Sequence, residues 1–508
     1  APWSRNCLSR EAVHVIGQSR MTPPKAGQRQ NTARVTVLMT GMAVCLLLIF
    51  YTANRPFSAL QPLLHSTETL FQQAVDLNHQ RTEDARRYFQ SLPRQSSPSG
   101  SLEAPATSTN ATKFAIAIVT VSRKGSSQSE ALKDVSYVLQ STAALDKLTR
   151  DNEMFHGSVL FVCNVDYDPR SHEDADFLKG YVPYVERYGM SSFSLPALRI
   201  PVVGHLYNET RHADVIDKER ADYMFCVQAA ASLNPQYVIV VEDDALPTDN
   251  FAPVLEHNLR KLDRKKKCTP RGYSISSCSD HSEPVAWSSS NLVSFFESSS
   301  SSEQSETINA PGNKGRDVLQ LLDTFSASRN GSHDENNPSF AYLKLSWPST
   351  WQGFTYGFER QVDLFCLSAF GGSMGVLMHV LVTLRIYTSS KALWGRFIVG
   401  SFLVFLLCVL IGRQNINQLR TFSKHLYRLQ ASPDCCTQAM VFPSHVVPSL
   451  VTWLAHTPPG SPVDLAMPGF ARYYDLATYY IEPNIFRHIG IVSSLSGHSR
   501  PPEEYVFS

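Results

Sequence analysis

The sequence predicts an α/β protein: a mainly parallel sheet covered on both faces, interrupted late in the chain by two apolar helices. Three observations carry that reading. Short unbroken apolar runs recur at 114–121, 159–165 and 237–241, and such runs bounded by polar residues are strands buried on both faces. Segments with helical spacing separate them, so the order runs β, α, β, then α, β, the pattern of a right-handed parallel sheet. Residues 364–384 carry no charge and 393–412 carry only Arg396, which is long and apolar enough to cross a bilayer.

Length and composition set the bounds. At 508 residues the chain has room for one to three domains. With a net charge of +1, nothing in the composition points to nucleic acid or to an acidic partner. The ten cysteines form no closely spaced CxxC pairs, and Cys435 and Cys436 are simply adjacent, which argues against a structural zinc site. Asn-x-Ser/Thr triplets at Asn110, Asn208 and Asn330 together favour a secretory route.

Taken in order, residues 1–34 form a basic tail in which Arg5, Arg10, Arg20, Lys25, Arg29 and Arg34 face one acid, Glu11. Residues 35–54 are uncharged and long enough to span a bilayer at about 1.5 Å per residue. They read as a signal anchor with the basic flank in the cytoplasm and the rest in a lumen. Residues 55–112 form a stem, helical in pattern over 57–92 and then a Ser/Pro/Ala linker. The main folded region is expected to begin at Lys113. Helices are expected over 130–148 and 218–233, and a short helix over 251–262 ends in a basic run at 264–267. Cys268 and Cys278 flank a loop and are expected to pair in an oxidising lumen. Residues 283–338 read as a disordered Ser-rich insertion.

The hairpin, 364–384 and 393–412, is joined by a connector with Arg385, Lys391 and Arg396, which belongs on the cytoplasmic side. Gly371 and Gly375 allow its two helices to approach closely. Residues 113–363 and 413–508 then share one lumen, and the simplest account is a single domain split by the hairpin.

The candidate chemistry lies where the strand at 237–241 stops at Glu242, Asp243 and Asp244. Ligands in open α/β sheets bind beyond the carboxyl ends of the strands. Three adjacent acids repel unless a cation joins them, and a divalent metal that also binds phosphate oxygens is the economical explanation. An acidic turn in solvent gives the same three letters. This is the pattern of the Asp-x-Asp motif of sugar-nucleotide-dependent glycosyltransferases.

Further segments sharpen the resemblance. Lys218-Glu-Arg-Ala-Asp-Tyr223, with the strand and acids after it, is similar to the nucleotide-sugar half of the N-acetylglucosaminyltransferases that branch N-glycans. Residues 481–490 with 493–497 are similar to the end of that domain, and Pro462-Val-Asp464 to a Pro-x-Asp element just before it. The anchor and the dividing hairpin resemble the GPI N-acetylgalactosaminyltransferases of the Golgi membrane, which modify the first mannose of the GPI core on attached proteins. The Ser-rich insertion and the basic extension depart from that pattern.

The resemblance implies a Rossmann-like GT-A fold, a UDP-GalNAc donor, Mn²⁺ and GPI-anchored proteins as acceptors. It places the metal on Asp243, Asp244 and His488. Nucleotide contacts are assigned to Thr120, Val121, Arg123, Asp222, Glu242, Asp243 and His488. Inverting transfer needs a base for the acceptor hydroxyl; Asp464 is that candidate, with Asp475, Glu482 and Glu359 as rivals. Trp347, Trp351 and Phe354 offer apolar faces for a sugar or for packing. Two other readings stay open: an N-acetylglucosaminyltransferase acting on protein-linked glycans, and a catalytically silent glycan-binding escort.

Overall fold

The computed structural model describes residues 66–94, 112–123, 135–188, 214–267, 340–354, 358–383 and 390–491. The expected signal anchor, the Ser-rich insertion, the Cys268–Cys278 pair, the three Asn-x-Ser/Thr sites and the segment 493–497 lie outside the described residues.

Helix α1 (Thr67–Ser91) opens the body, capped by Ser66, whose hydroxyl accepts from the Thr69 amide at 3.2 Å. Expected as a stem, it packs on the body instead, because Ala85 and Phe89 join the core under the sheet and Phe89 meets the rings of Phe177 and Tyr181. Strand β1 (Phe114–Thr120), helix α2 (Tyr137–Asp151), strand β2 (Val159–Asn164), helix α3 (Glu173–Leu178) and strand β3 (Tyr184–Glu186) follow. Helix α4 (Val215–Ala231) leads into strand β4 (Tyr237–Glu242), short strand β5 (Ala245–Pro247), helix α5 (Phe251–Lys267) and strand β6 (Phe340–Lys344).

The apolar helices α6 (Phe358–Thr383) and α7 (Ser390–Ile411) come next. After them lie α8 (Arg413–Asn417), β7 (Arg428–Ala431), β8 (Ala439–Pro443), α9 (Val447–His456), α10 (Val463–Tyr473), β9 (Ala477–Glu482) and β10 (Phe486–His488).

Eight strands form one sheet in the order β3-β2-β1-β4-β8-β6-β9-β7. The expected parallel block is present, with β1 pairing in parallel to β2 and β4. The sheet as a whole is largely parallel rather than uniformly so, because β8 and β7 run against their neighbours. Side chains alternate across it. Phe114, Ile116 and Ile118 face α2 and α5, whereas Ala115 and Ala117 face α4, α9 and α10. A disulfide joins Cys163 of β2 to Cys226 of α4, and Cys435 is bonded to Cys436.

Sequence order and spatial order diverge at the hairpin. Strand β8 follows α6 and α7 in the chain, yet it lies between β4 and β6, which precede them. Val238 is in register with Phe442, and Leu343 with Val441. Strands from both sides of the apolar helices therefore build one sheet. The stretches Arg360–Leu381 and Ser390–Ile411 are long and apolar enough to cross a membrane. They pack closely where the expected glycines lie: a Cβ on Gly400 would come within 2.9 Å of the Gly371 carbonyl.

Where α7 ends, Arg413 turns inward. Its side chain is 2 % exposed and donates to Glu482, 0 % exposed, at 2.5 Å and 3.0 Å. It also donates to Asp363 of α6 at 3.2 Å and to the Gln352 carbonyl at 3.1 Å. Asn417 and Gln430 complete the hydrogen bonds to Glu482 at 3.2 Å and 2.9 Å. Breaking a buried pair costs far more than the pair contributes, because it leaves one charge buried and uncompensated. Arg413→Met is expected to lower stability by about 3–5 kcal/mol by leaving Glu482 charged and buried. Arg413→Met combined with Glu482→Met should recover most of that loss, as measured by denaturant unfolding in detergent.

Candidate active site

The turn after β4 is pinned through its main chain. The Asp243 amide donates to the Val119 carbonyl at 3.1 Å, and the Ser141 hydroxyl donates to the Asp243 carbonyl at 2.5 Å. The Asp244 carbonyl accepts from the Ile489 amide at 2.8 Å. That last bond extends the antiparallel pairing of β5 with β10, in which His488 opposes Ala245. Gly490 lies so near that a Cβ there would sit 2.1 Å from Oδ2 of Asp244, so a side chain is excluded.

Around this turn five of the sequence candidates converge. Thr120 donates its hydroxyl proton to Oδ2 of Asp243 at 2.7 Å. Nε2 of His172 lies 2.8 Å from the same hydroxyl, so His172 donates there. Arg123 bridges both acids, reaching Oδ1 of Asp243 at 2.5 Å and Oδ2 of Asp244 at 3.0 Å. Its guanidinium lies 4.6 Å from the centre of the Tyr137 ring. Nε2 of His488 is 3.3 Å from Oδ2 of Asp244.

The electrostatics follow from burial and pairing. Burial pushes the Asp243 carboxyl up from its ordinary value, with Arg123 opposing the shift. Burial alone would depress Arg123, but Asp243 and Asp244 outweigh it and the guanidinium is raised. Burial lowers His172 and keeps it neutral. Two carboxylates against one guanidinium leave a net negative cluster, which a neutral Asp243 balances.

The remaining candidates lie around this cluster. Glu242 accepts from the Thr437 hydroxyl at 2.9 Å, and its amide donates to Gln438 at 2.8 Å. Val121 is half-buried against the core on the α4 side. Asp222 is held by Arg187, by Lys218 at 2.5 Å and by Tyr188 at 3.3 Å. Lys218 also lies 4.7 Å from the Tyr167 ring and 5.5 Å from the Tyr188 ring. Asp464 sits in the first turn of α10, where its charge bears on Glu219 of α4 and Lys344 of β6. The loop before it is fastened to α4 by Arg220, which donates to Pro458 and Ser461, and by Asp217, which accepts from Gly460.

Of the rivals, Glu482 is committed to Arg413, Asp475 occupies a left-handed turn at φ 52°, and the Glu359 side chain lies outside the described residues. Trp347 is buried and meets the exposed Trp351 edge to face.

Sequence reasoning missed His172, Tyr137, Glu219 and Lys344. Burial pushes Glu219 up to about 7, with Asp464 and then Asp222 adding to it. Burial takes Lys344 down to about 8, and it donates to the carbonyls of Pro433 and Cys435 at 2.7 Å and 2.5 Å. The only sequence signal for Glu219 was its place in the segment 218–223; no local pattern marks the other three.

The expected metal ligands thus surround Arg123 rather than an open position. Among the described residues, no three His, Cys, Asp or Glu side chains are grouped to hold a metal ion. The arrangement does not fit a divalent cation on Asp243, Asp244 and His488 while Arg123 stays in place.

A family model described as GPI-N-acetylgalactosamine transferase PGAP4 matches residues 114–273 and 316–487, the second stretch running through both apolar helices. No solved structure matches the chain.

Two outcomes are expected. Arg123→Gln removes the counter-charge of two buried acids, so it should cost about 3–5 kcal/mol. Millimolar Mn²⁺ should then raise its melting temperature more than that of the unsubstituted protein; equal shifts would deny that Arg123 holds the cation position. Glu219 is raised in the folded protein, so stability should fall as pH rises from its unfolded value through about 7. Glu219→Gln should therefore melt like the parent near pH 4.5 and several degrees higher at pH 8, at roughly 2–4 °C per kcal/mol.

Proposed function

Because the chain belongs to the GPI-N-acetylgalactosamine transferase PGAP4 family, and is thus a sugar-nucleotide-dependent glycosyltransferase, we propose that it transfers N-acetylgalactosamine from UDP-GalNAc to the first mannose of the GPI glycan on GPI-anchored proteins. The observation that carries this reading is the match that runs through the apolar helices, together with the acidic turn that the parts before and after them jointly enclose.

In this reading the sheet is a GT-A domain and the donor lies across the carboxyl ends of β1, β2 and β4. Tyr167 and Tyr188, with ring centres 4.8 Å apart beside Asp222, offer the uracil an aromatic wall. Arg123 and His488 face the diphosphate. The Arg123 charge, with hydrogen bonding from the His488 ring, meets the negative charge that grows on the leaving group as the glycosidic bond breaks. Burial that favours a neutral Asp243 lessens the repulsion the diphosphate meets. Manganese is implied by the resemblance alone, and the charge on the leaving group falls to the chain's own cations.

Asp464 takes the proton from the mannose hydroxyl as that oxygen attacks the anomeric carbon opposite the leaving diphosphate, which inverts the centre. Glu219 of α4 feels the Asp464 charge, and burial with that charge holds its own carboxyl up at about 7.

The setting belongs to the same proposal. The segment 35–54 anchors the chain in the Golgi membrane, α6 and α7 cross it as a hairpin, and both parts of the sheet lie in the lumen. A GPI glycan is held in the same leaflet, so a domain fixed beside the membrane searches a thin layer rather than a volume.

The test is transfer by the purified full-length chain in detergent, with UDP-GalNAc and UDP-GlcNAc offered separately to a GPI glycan acceptor. N-acetylgalactosamine on the first mannose is expected. Asp464→Asn should lower kcat by about 10²–10⁴-fold with little change in the KM for donor. Equal use of both donors would overturn the donor assignment, and unchanged kcat in Asp464→Asn would move the base elsewhere.

A further inference from the structure

The described part of the chain leaves one apolar ridge on the body outside the two long helices. Immediately after α8, residues 418–422 and 424–426 form two 3₁₀ turns. Leu419, Phe422 and Leu426 project from them at 59 %, 83 % and 48 % exposure, and Phe422 is the most exposed large apolar side chain among the described residues. Isolated exposed apolar residues are ordinary; three on two adjoining turns form a patch.

The charges carried by the two turns themselves are of one sign, although Asp363 and Glu482 also bear on Arg420. Residues 413–431 contain no Asp or Glu, and Arg420, Lys424 and His425 lie on the same two turns. His425 stacks edge to face on His257 of α5 at 4.6 Å. Lys261, Lys424 and Arg264 all bear on His257 and, after burial, help to lower its pKa. Large apolar side chains set among basic ones mark segments that lie in the headgroup layer of a bilayer.

Position fixes the occupant. The turns begin seven residues beyond the end of α7, and they are held to the base of the hairpin. Asp363, near the start of α6, accepts from both Arg413 and Arg428, at 3.2 Å and 3.3 Å. Arg420 donates to Asn417 and to the Leu426 carbonyl, each at 3.3 Å. On the body side, Asn250 donates to the Thr421 carbonyl at 3.0 Å. A bilayer crossed by α6 and α7 has its surface at that base. On α7 itself Phe402, Leu406 and Val409 are exposed as well.

We propose that the two turns at 418–426 seat the catalytic body on the membrane: Leu419, Phe422 and Leu426 enter the boundary between headgroups and acyl chains, while Arg420 and Lys424 meet lipid phosphates. The inference rests on the reading of α6 and α7 as membrane-spanning. It sets the tilt and height of the body, because a rigid ridge beside the hairpin resists rocking about it.

The test uses the full chain in nanodiscs of phosphatidylcholine with phosphatidylserine. A benzophenone-bearing residue replaces Phe402, Phe422 or Leu465, and lipid adducts are counted by mass spectrometry after illumination. Leu465, 58 % exposed on α10 across the sheet, is the control. Adducts are expected at 402 and at 422, with at least about ten-fold fewer at 465. Adducts at 402 alone overturn the seating of the turns and leave the spanning helices intact. Absence of adducts at 402 overturns the spanning itself. In a second arm, Phe422→Asp, on a side chain that folding leaves in solvent, should lower transfer to GPI in membranes about ten-fold and leave transfer to a detergent-solubilised acceptor unchanged; equal rates on both acceptors overturn the proposal.

Discussion

The site depends on the placing of β8 between β4 and β6. That strand closes the edge of β4 along its length, from Tyr237 opposite Pro443 to Val241 opposite Ala439. Just beyond the pairing, the Glu242 amide donates to Gln438 and the Glu242 carboxylate accepts from Thr437. The acids are thus held at the lip of the sheet by residues encoded more than 190 positions later. The buried Arg413–Glu482 pair performs the same joining at the foot of the hairpin, where the end of β9 meets the start of α8.

A second long-range pairing completes the arrangement. Strand β10 returns to β5, sets His488 opposite Ala245 and brings Gly490 against Asp244. The acidic turn is therefore enclosed by three separate parts of the chain: the end of β1 with Arg123, helix α2 with Ser141 and Tyr137, and the tail with His488. Preorganised charge of this kind is what a reaction that expels a diphosphate requires.

The sequence was readable where local chemistry decides the structure. Residues 114–120 and 237–242 are strands because a run of buried β-branched residues has no other comfortable state, and the acids mark where that run meets solvent. The close approach of α6 and α7 was readable from Gly371 and Gly375. Strands β5 and β10, each three residues long, were not readable, since their pairing with each other defines them. What the stem helix packs against was not readable, because helical spacing shows an apolar face without naming what covers it. The same limit held at the site. An arginine 120 residues from its carboxylate has no local sign of its partner, and the Glu219 carboxyl is raised by burial first and then by Asp464, neither of which its neighbours in sequence show.

The interleaved order of strands bears on how the molecule is made. While the ribosome is still translating the hairpin, β4 and β6 already exist, but the strand that belongs between them has not emerged. Each presents unpaired amides and carbonyls along an apolar ribbon, the kind of edge that recruits stray strands from other chains. The nascent protein must hold that gap open through the synthesis of about a hundred further residues, a delay in which chaperones have their opportunity and aggregation its risk.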